Sequence, residues 1–210
     1  MKVAVLGASG GTGMEVVQQS LAAGHEVTAI VRKPEAFKLH APNLQAVAGD
    51  ALDLHSFTSS LEGQDAVISA VGVSSLVESL KPMTFYHDTA ANIIEAMSTH
   101  HVQRFLCITS VGVHNNPKAP LYYKALVHPL LSHKYEDMRQ METIVRESGL
   151  EWTIVRPASL SHGKWTGQYT LAADSDLERT GSISRADVAD FLLKALIDPA
   201  YVQHAVAISY

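Results

Sequence analysis

The first thirteen residues, Met1-Lys-Val-Ala-Val-Leu-Gly-Ala-Ser-Gly-Gly-Thr-Gly13, constrain this chain more than any other stretch. Lys2 to Leu6 is a short apolar run rich in valine, the pattern of a strand buried on both faces of a parallel sheet. It stops at Gly7. After Gly10, Gly11 and Gly13, apolar residues resume at helical spacing from Met14 to Ala23 (Val16, Val17, Leu21). A strand, a glycine turn and a helix in this order make the setting in which a dinucleotide's pyrophosphate is held. Gly7 permits the tight turn, Gly10 lets backbone approach a phosphate, and Gly13 lets the helix lie close on the strand. Free N–H groups at the helix start then face the phosphates, helped by the helix dipole. Ser9, Gly11 and Thr12 fill the spaces of a G-x-x-G-x-x-G pattern, which differs from the G-x-G-x-x-G of most dehydrogenases. The competing reading is a glycine-rich turn with no ligand; the position between strand and helix favours nucleotide binding.

Further along, strands and helices alternate. His25–Val31 reads as a second strand, followed at once by Arg32 and Lys33. The end of this strand lies beside the adenosine ribose in a dinucleotide fold, where an acidic residue suits NAD and a basic one suits the 2′-phosphate of NADP. Arg32 predicts NADP, against the plainer alternative of a solvated basic turn. Leu44–Ala48 is a third strand ending in Gly49-Asp50-Ala51, with Asp50 placed either to meet the adenine amino group or to begin a helix over Leu52–Leu61. Asp65–Ala70 is a fourth strand, and Val71-Gly72 follow at its carboxyl end, the edge where ligands bind in an open α/β sheet. A helix over Thr84–His100 (Ile93, Ile94 and Met97 inward) leads to a fifth strand, Gln103–Thr109, and then Ser110.

His114 to Leu131 breaks this rhythm with Pro117, Pro120, Pro129, Tyr122, Tyr123 and His128, and reads as a long irregular loop of the lid or binding kind. Helix is expected again over Tyr135–Ser148, with Met138, Met141, Ile144 and Val145 as the buried stripe and Ser148-Gly149 at its end. Glu151–Arg156 is a sixth strand stopped by Pro157, and Ala158–Gly167 a second irregular stretch. Ser184-Arg-Ala-Asp187 has the spacing of a capping box ahead of a helix over Val188–Leu196, and Val202–Ile208 is the last strand. The expectation is one α/β domain over 1–210, a doubly wound Rossmann-type parallel sheet with right-handed crossovers. Only the loops at 111–132 and 157–170 remain to form a substrate site.

Bulk properties exclude several classes. A chain of 210 residues with 47% hydrophobic content can bury a core, and no apolar run reaches the ~20 residues of a membrane span. The first strand begins at once, leaving no stretch that reads as a signal peptide, so a soluble, cytoplasmic protein is expected. The net charge of −5 argues against general affinity for nucleic acid. The single cysteine, Cys107, lies in the apolar run Phe105–Ile108 and reads as a small buried hydrophobe. Eleven histidines suggest no metal site: His100-His101 point in different directions, and His128 and His133 have no acid or cysteine at a ligand spacing. His128, His133 and His162 fall in or beside the substrate loops, where solvated histidines are common. Ser110 lacks the G-x-S-x-G elbow of a hydrolase. Leu121–Leu131 could be a partner surface, but a lid over a planar ligand fits its composition better.

Taken together, Val5–Gly13, Gly49-Asp50, Thr109-Ser110 and Ser148-Gly-Leu-Glu-Trp-Thr-Ile-Val-Arg-Pro157 resemble the atypical short-chain dehydrogenase/reductase superfamily. The short chain and its order of motifs are similar to the NAD(P)H-binding flavin reductase and biliverdin-IX-beta reductase group, with NmrA-like relatives. The resemblance implies cofactor phosphates at Ser9 to Gly13, the 2′-phosphate of NADP at Arg32 and adenine near Asp50 and Ala51. It also implies ribose and pyrophosphate passing Val71 and Gly72, with nicotinamide between Thr109-Ser110 and the turn from Pro157 to Leu160. In that group the serine after the fifth strand stands beside the hydride-transfer site, and Ser110 matches it. One departure is chemical. The Tyr-x-x-x-Lys pair of alcohol-oxidising members is absent, since Tyr122, Tyr123 and Tyr135 are followed four residues later by Leu126, Val127 and Arg139. An arginine is a poor proton relay, so a planar conjugated acceptor that delocalises the incoming electron pair is favoured over a simple ketone. A non-catalytic NADP(H) sensor of NmrA-like type needs the same glycine turn and is the alternative.

Overall fold

The computed structural model describes residues 1–73, 75–114, 125–126, 128–177 and 181–210. The strands are β1 (Lys2–Leu6), β2 (Glu26–Val31), β3 (Leu44–Ala48), β4 (Ala66–Ser69), β5 (Arg104–Ile108), β6 (Glu151–Pro157), β7 (Ser159–Ser161), β8 (Thr170–Ala173), β9 (Ser182–Ser184) and β10 (His204–Ser209). The helices are α1 (Gly11–Ala22), α2 (Leu54–Phe57), α3 (Leu76–Ser79), α4 (Phe85–Thr99), α5 (His128–Leu130), α6 (Ser132–Glu147) and α7 (Arg185–Ile197). The main sheet has the order β3-β2-β1-β4-β5-β6-β10-β8 and is parallel except for β8, which runs antiparallel to β10. The chain leaves β1 toward β2 and β3 and returns on the other side to β4, so the order reverses between β1 and β4. Ligands of doubly wound sheets bind at this switch point.

Side-chain alternation along β1 divides the core into two layers. Val3 and Val5 pack with Val16 and Val17 of α1 and with Val188, Phe191 and Leu192 of α7. Ala4 and Leu6 point the other way, into the layer of Ile93 and Met97 of α4 and Met138 and Met141 of α6. A strand covered on both faces must be apolar at every position, which is why Lys2–Leu6 lacks the polar alternation of a half-exposed strand. Burying each large aliphatic or aromatic side chain contributes about 1.5–3 kcal/mol. Cys107 is fully buried in this core, and burial pushes its thiol pKa well up, so it acts as a packing residue.

Several local expectations are corrected. α1 begins at Gly11 rather than Met14, because Gly10 has extended backbone and serves as the N-cap. The helix expected over Leu52–Leu61 shrinks to α2 followed by a 3-10 turn over Thr58–Leu61. Asp53 caps α2 by accepting the His55 N–H at 3.2 Å, and Ser56 Oγ donates to the Asp53 carbonyl at 2.7 Å. Such local side-chain bonds compete with continued helix. Asp50 therefore does not begin that helix. Pro157 ends β6 from inside the strand: β5 stops opposite Val155, so nothing on that side needs an N–H from residue 157. The stretch after it is not wholly irregular, since β7 pairs with β9 in a small second sheet. α6 starts at Ser132 and α7 at Arg185, each earlier than the apolar stripe indicates. His128–Leu130 forms a short helical turn inside the stretch read as loop, while Pro117, Pro120, Tyr122 and Tyr123 lie outside the described residues. Ser184 does cap α7, its Oγ accepting the Asp187 N–H at 2.9 Å. The reciprocal half of the capping box is absent, because the Asp187 carboxylate serves Thr166, Gly167 and Tyr210 instead.

Candidate functional site

At the switch point a cleft of about 450 Å³ opens over the carboxyl ends of β1, β2, β3 and β4. It is lined by Gly7, Ser9 and Gly10 of the glycine turn, by Arg32, by Gly49 to Leu52, and by Ala70 to Val73. Leu6, Ile30, Val31 and Phe85 complete its apolar wall. Gly7 has φ +74°, and a Cβ there would lie 2.7 Å from the Ala70 carbonyl carbon and oxygen, so no other residue fits between β1 and β4. Gly13 is as tightly held, because its Cβ would lie 2.1 Å from the Gly7 carbonyl oxygen. The loss of that one side chain brings α1 down onto the turn. The first α1 bond runs from the Met14 N–H to the Gly10 carbonyl at 2.8 Å. The N–H groups of Gly11, Thr12 and Gly13 precede it, no side chain caps them and no acid stands in the first turn. This is an open anion site of the kind a pyrophosphate takes.

Arg32 stands exposed on the cleft wall, whereas Lys33 does not line it. Asp50 and Ala51 form the facing wall. The Asp50 Oδ1 accepts the Leu52 N–H at 3.1 Å, and its own N–H donates to Ser56 Oγ at 2.9 Å, which fixes this corner. Gly49 is required by packing, since a Cβ would meet Ile30 Cγ2 at 2.6 Å. Beneath Val71 and Gly72 sits Tyr86, almost fully buried, whose hydroxyl accepts the Val73 N–H at 3.3 Å. Burial raises its pKa to about 12, the opposite of what a proton-donating tyrosine requires. The α4 N-terminus above it is capped from another helix: the Asp137 carboxylate of α6 accepts the N–H of Tyr86 at 2.8 Å and of His87 at 3.0 Å. Lys134 holds its ammonium 5.8 Å from the Tyr86 ring centroid, and burial lowers its pKa.

The structure thus gathers Gly7, Ser9, Gly10, Arg32, Asp50, Ala51, Val71 and Gly72 around one cleft. Thr12 and Gly13 lie under the turn, buried, and Gly11 on its outer side. Thr109 is turned inward. Its hydroxyl donates to Glu142 Oε1 at 2.8 Å, and the same carboxylate pairs with the buried Arg156, Nε to Oε1 at 2.9 Å. The Thr109 side chain is therefore committed to a buried ionic cluster and does not line the cleft. Ser110 caps a 3-10 turn over Val111–Val113, accepting the Gly112 N–H at 3.2 Å. That is the local capping role weighed against a catalytic one, although the hydroxyl's own hydrogen stays available. Pro157 is buried at the end of β6 and Leu160 lies exposed on β7; neither lines the cleft. Tyr135 is buried with its ring against Gly112, where a Cβ would lie 2.2 Å from Tyr135 Cζ. Arg139 is occupied by Glu136 and the Val113 carbonyl, so it does not attend Tyr135 as a relay.

The sequence reading passed over Leu52, Val73, Phe85, Tyr86 and Lys134. Leu52 and Val73 continue the strand-end turns at Ala51 and Gly72, whereas Phe85, Tyr86 and Lys134 reach the site through the packing of α4 and α6, which no motif marks. Among the described residues, no three His, Cys, Asp or Glu side chains are grouped as metal ligands, and no helix is long and apolar enough to cross a membrane.

Comparison with known proteins agrees with this geometry. Residues 7–199 match the family described as NAD(P)H-binding. The chain is 32% identical over 201 residues to the uncharacterised sugar epimerase YhfK of Bacillus subtilis, spanning 93% of this chain and 88% of that protein. It is 31% identical over 202 residues to an uncharacterised chloroplastic protein of Arabidopsis thaliana, spanning 93% of this chain and 72% of that one. A proposed NADH-flavin reductase of Streptococcus pneumoniae superposes with a TM-score of 0.75 at 25% identity, covering 100% of this chain and 99% of the other. The fold is also that of a short-chain dehydrogenase/reductase of Veillonella parvula in complex with NADP, with a TM-score of 0.83 at 16% identity over 100% and 94% of the two chains. The glycine turn, the switch-point cleft and the family match, which runs over nearly the whole chain, lead to one conclusion: the protein belongs to the NAD(P)H-binding family.

Proposed function

We propose that the protein is an NADPH-dependent reductase that passes hydride to a planar conjugated acceptor of the flavin or linear-tetrapyrrole kind. The observation that carries this reading is the cleft itself. It joins an uncapped glycine turn to an exposed arginine at the end of β2, and neither a tyrosine nor a lysine is among the described residues that line it. In this reading the N–H groups of Gly11 to Gly13 hold the pyrophosphate and Arg32 holds the 2′-phosphate. Asp50 and Ala51 border the adenine, and Val71 and Gly72 border the ribose. When bound, the reduced nicotinamide supplies a hydride, which leaves it with the bonding electron pair and reduces the acceptor by two electrons. The proton that completes the product comes from solvent.

The chain's contribution is then placement of the two partners and exclusion of misaligned poses, with Ser110 orienting either one through its free hydrogen. An epimerase acting on sugars, as the name of the B. subtilis relative suggests for that protein, would need an acid–base pair at a hydroxyl carbon. Tyr86 and Tyr135 are buried, and Tyr86 is held far from an acidic pKa. The experiment is loss of NADPH absorbance on adding free flavin, biliverdin or a small ketone. Turnover with the conjugated acceptors and none with the ketone supports the reductase. Tight NADPH binding with no turnover on any acceptor supports a sensor of NADP(H) instead.

A further inference from the structure

We propose that Arg185, at the start of α7, is a pyrophosphate-binding residue that supplements the glycine turn with a guanidinium from outside the motif. This rests on the cofactor part of the reading above and is independent of the acceptor.

The residue is built against the turn. A Cβ on Gly11 would lie 2.8 Å from both Cδ and Nε of Arg185, so the arginine stem lies directly on the one position of the turn left without a side chain for it. Its base is fixed: Ser184 caps α7, and Gln19 Nε2 of α1 donates to the Ala186 carbonyl at 2.9 Å. The guanidinium end, in contrast, is unanswered. Arg185 Nη1 is buried with no hydrogen-bond partner, and none of the ion pairs among the described residues includes Arg185. Asp187, two residues on, has its carboxylate taken by Thr166, Gly167 and Tyr210.

A buried donor of a charged group left unpaired is costly, and an anion that supplies the missing acceptor accounts for its being kept at this place. Here the neighbour is the uncapped start of α1, which already favours an anion. A planar guanidinium can give two parallel N–H bonds to phosphate oxygens, which a lysine cannot. With the stem immobilised before binding, little side-chain freedom is lost when those bonds form.

The test separates the two ends of the cofactor. NADPH, NADH and adenosine 2′-monophosphate are titrated against wild type, Arg185→Met and Arg32→Ala, with thermal melts of each ligand-free protein. Arg185→Met keeps the stem and removes the donors. It should weaken NADPH and NADH alike, by roughly ten- to a hundredfold, leave adenosine 2′-monophosphate binding unchanged, and keep the melting midpoint at or above that of wild type, because an unpaired buried donor has been removed. Arg32→Ala should give the crossed pattern, weakening NADPH and adenosine 2′-monophosphate while sparing NADH; its failure alone would strike only the 2′-phosphate assignment. Arg185→Lys keeps stem and charge without the fork and should fall between wild type and Arg185→Met, so the question stays open to test even if the methionine variant folds poorly. Unchanged dinucleotide affinity in Arg185→Met, or equal loss for all three ligands, overturns the proposal.

Discussion

Arg32 is exposed on the cleft wall, and none of the ion pairs among the described residues includes it. Its guanidinium is therefore available to a phosphate without first breaking a bond. A charge-assisted contact of this kind contributes on the order of 1.5–3 kcal/mol. Arg32→Ala should accordingly weaken NADPH by roughly ten- to a hundredfold and leave NADH nearly unchanged, which paired titrations would check. Equal loss for both would remove the 2′-phosphate assignment. Ser110 and Tyr135 bear on the chemistry. Ser110 Oγ already accepts the Gly112 N–H, so only its own hydrogen is left to orient a ligand. Ser110→Ala should lower turnover about tenfold, a loss near 1.4 kcal/mol. Tyr135→Phe should change turnover little, since the ring is buried against Gly112. Steady-state kinetics with a flavin acceptor decide this. Loss of turnover in Tyr135→Phe with none in Ser110→Ala would point to acid catalysis after all.

Among elements, the joint between β1 and α1 governs the site. Gly10 and Gly13 look alike in sequence but do different work. A Cβ at Gly10 meets only the Gly7 carbonyl oxygen, at 3.2 Å, while one at Gly13 would sit 2.1 Å from that same atom. Gly13→Ala should therefore force α1 away from β1 and destabilise the protein by about 1–3 kcal/mol, seen as a lower melting midpoint. Gly10→Ala should melt close to wild type and still bind NADPH more weakly, because its methyl group intrudes where the turn meets the phosphates. A normal midpoint for Gly13→Ala would mean that the helix is free to shift without cost. A second joint, between β5, β6 and α6, is ionic. Glu142 binds Thr109 and Arg156 in the core and draws the end of β5 toward α6, which sets where the backbone of Ser110 emerges.

At the scale of the whole molecule, Asp187 ties distant parts together. Its carboxylate accepts the N–H groups of Thr166 and Gly167 and the hydroxyls of Thr166 and Tyr210, joining the 157–170 stretch, α7 and the C-terminal residue. Burial alone would raise its pKa. The hydrogen bonds from Tyr210, Thr166 and Gly167 outweigh that and bring it from 3.8 down to about 2. A depressed carboxylate stabilises the fold above its unfolded-state pKa, and that contribution fades as pH falls from about 4 toward 2. At about 1.4 kcal/mol per unit, the stability at stake is about 2 kcal/mol. Asp187→Asn should lose stability at neutral pH, and its deficit relative to wild type should narrow by about that amount between pH 5 and pH 2. Denaturant unfolding at stepped pH measures it, and a deficit independent of pH would show that the carboxylate's charge is not what holds these segments.

Alternation of apolar runs with helical spacing, and a glycine turn at the first junction, were enough to read a doubly wound α/β sheet and to place Gly7, Ser9, Gly10, Arg32, Asp50, Ala51, Val71 and Gly72 at one edge of it. These features are local: a strand's burial on two faces and a turn's need for glycine are imposed within a few residues of the chain. What the sequence could not convey was which way side chains at the strand ends face, and which helix ends lean on which. Thr109 stands at a strand end where a cofactor contact is expected, yet its hydroxyl is bound by Glu142, thirty-three residues later. The β7–β9 pair and antiparallel β8 depend on partners far along the chain, so no local periodicity announces them. Asp137 capping α4 and Arg185 lying on Gly11 likewise arise only when separate helices pack, because each contact joins residues that have no relation until the core has formed.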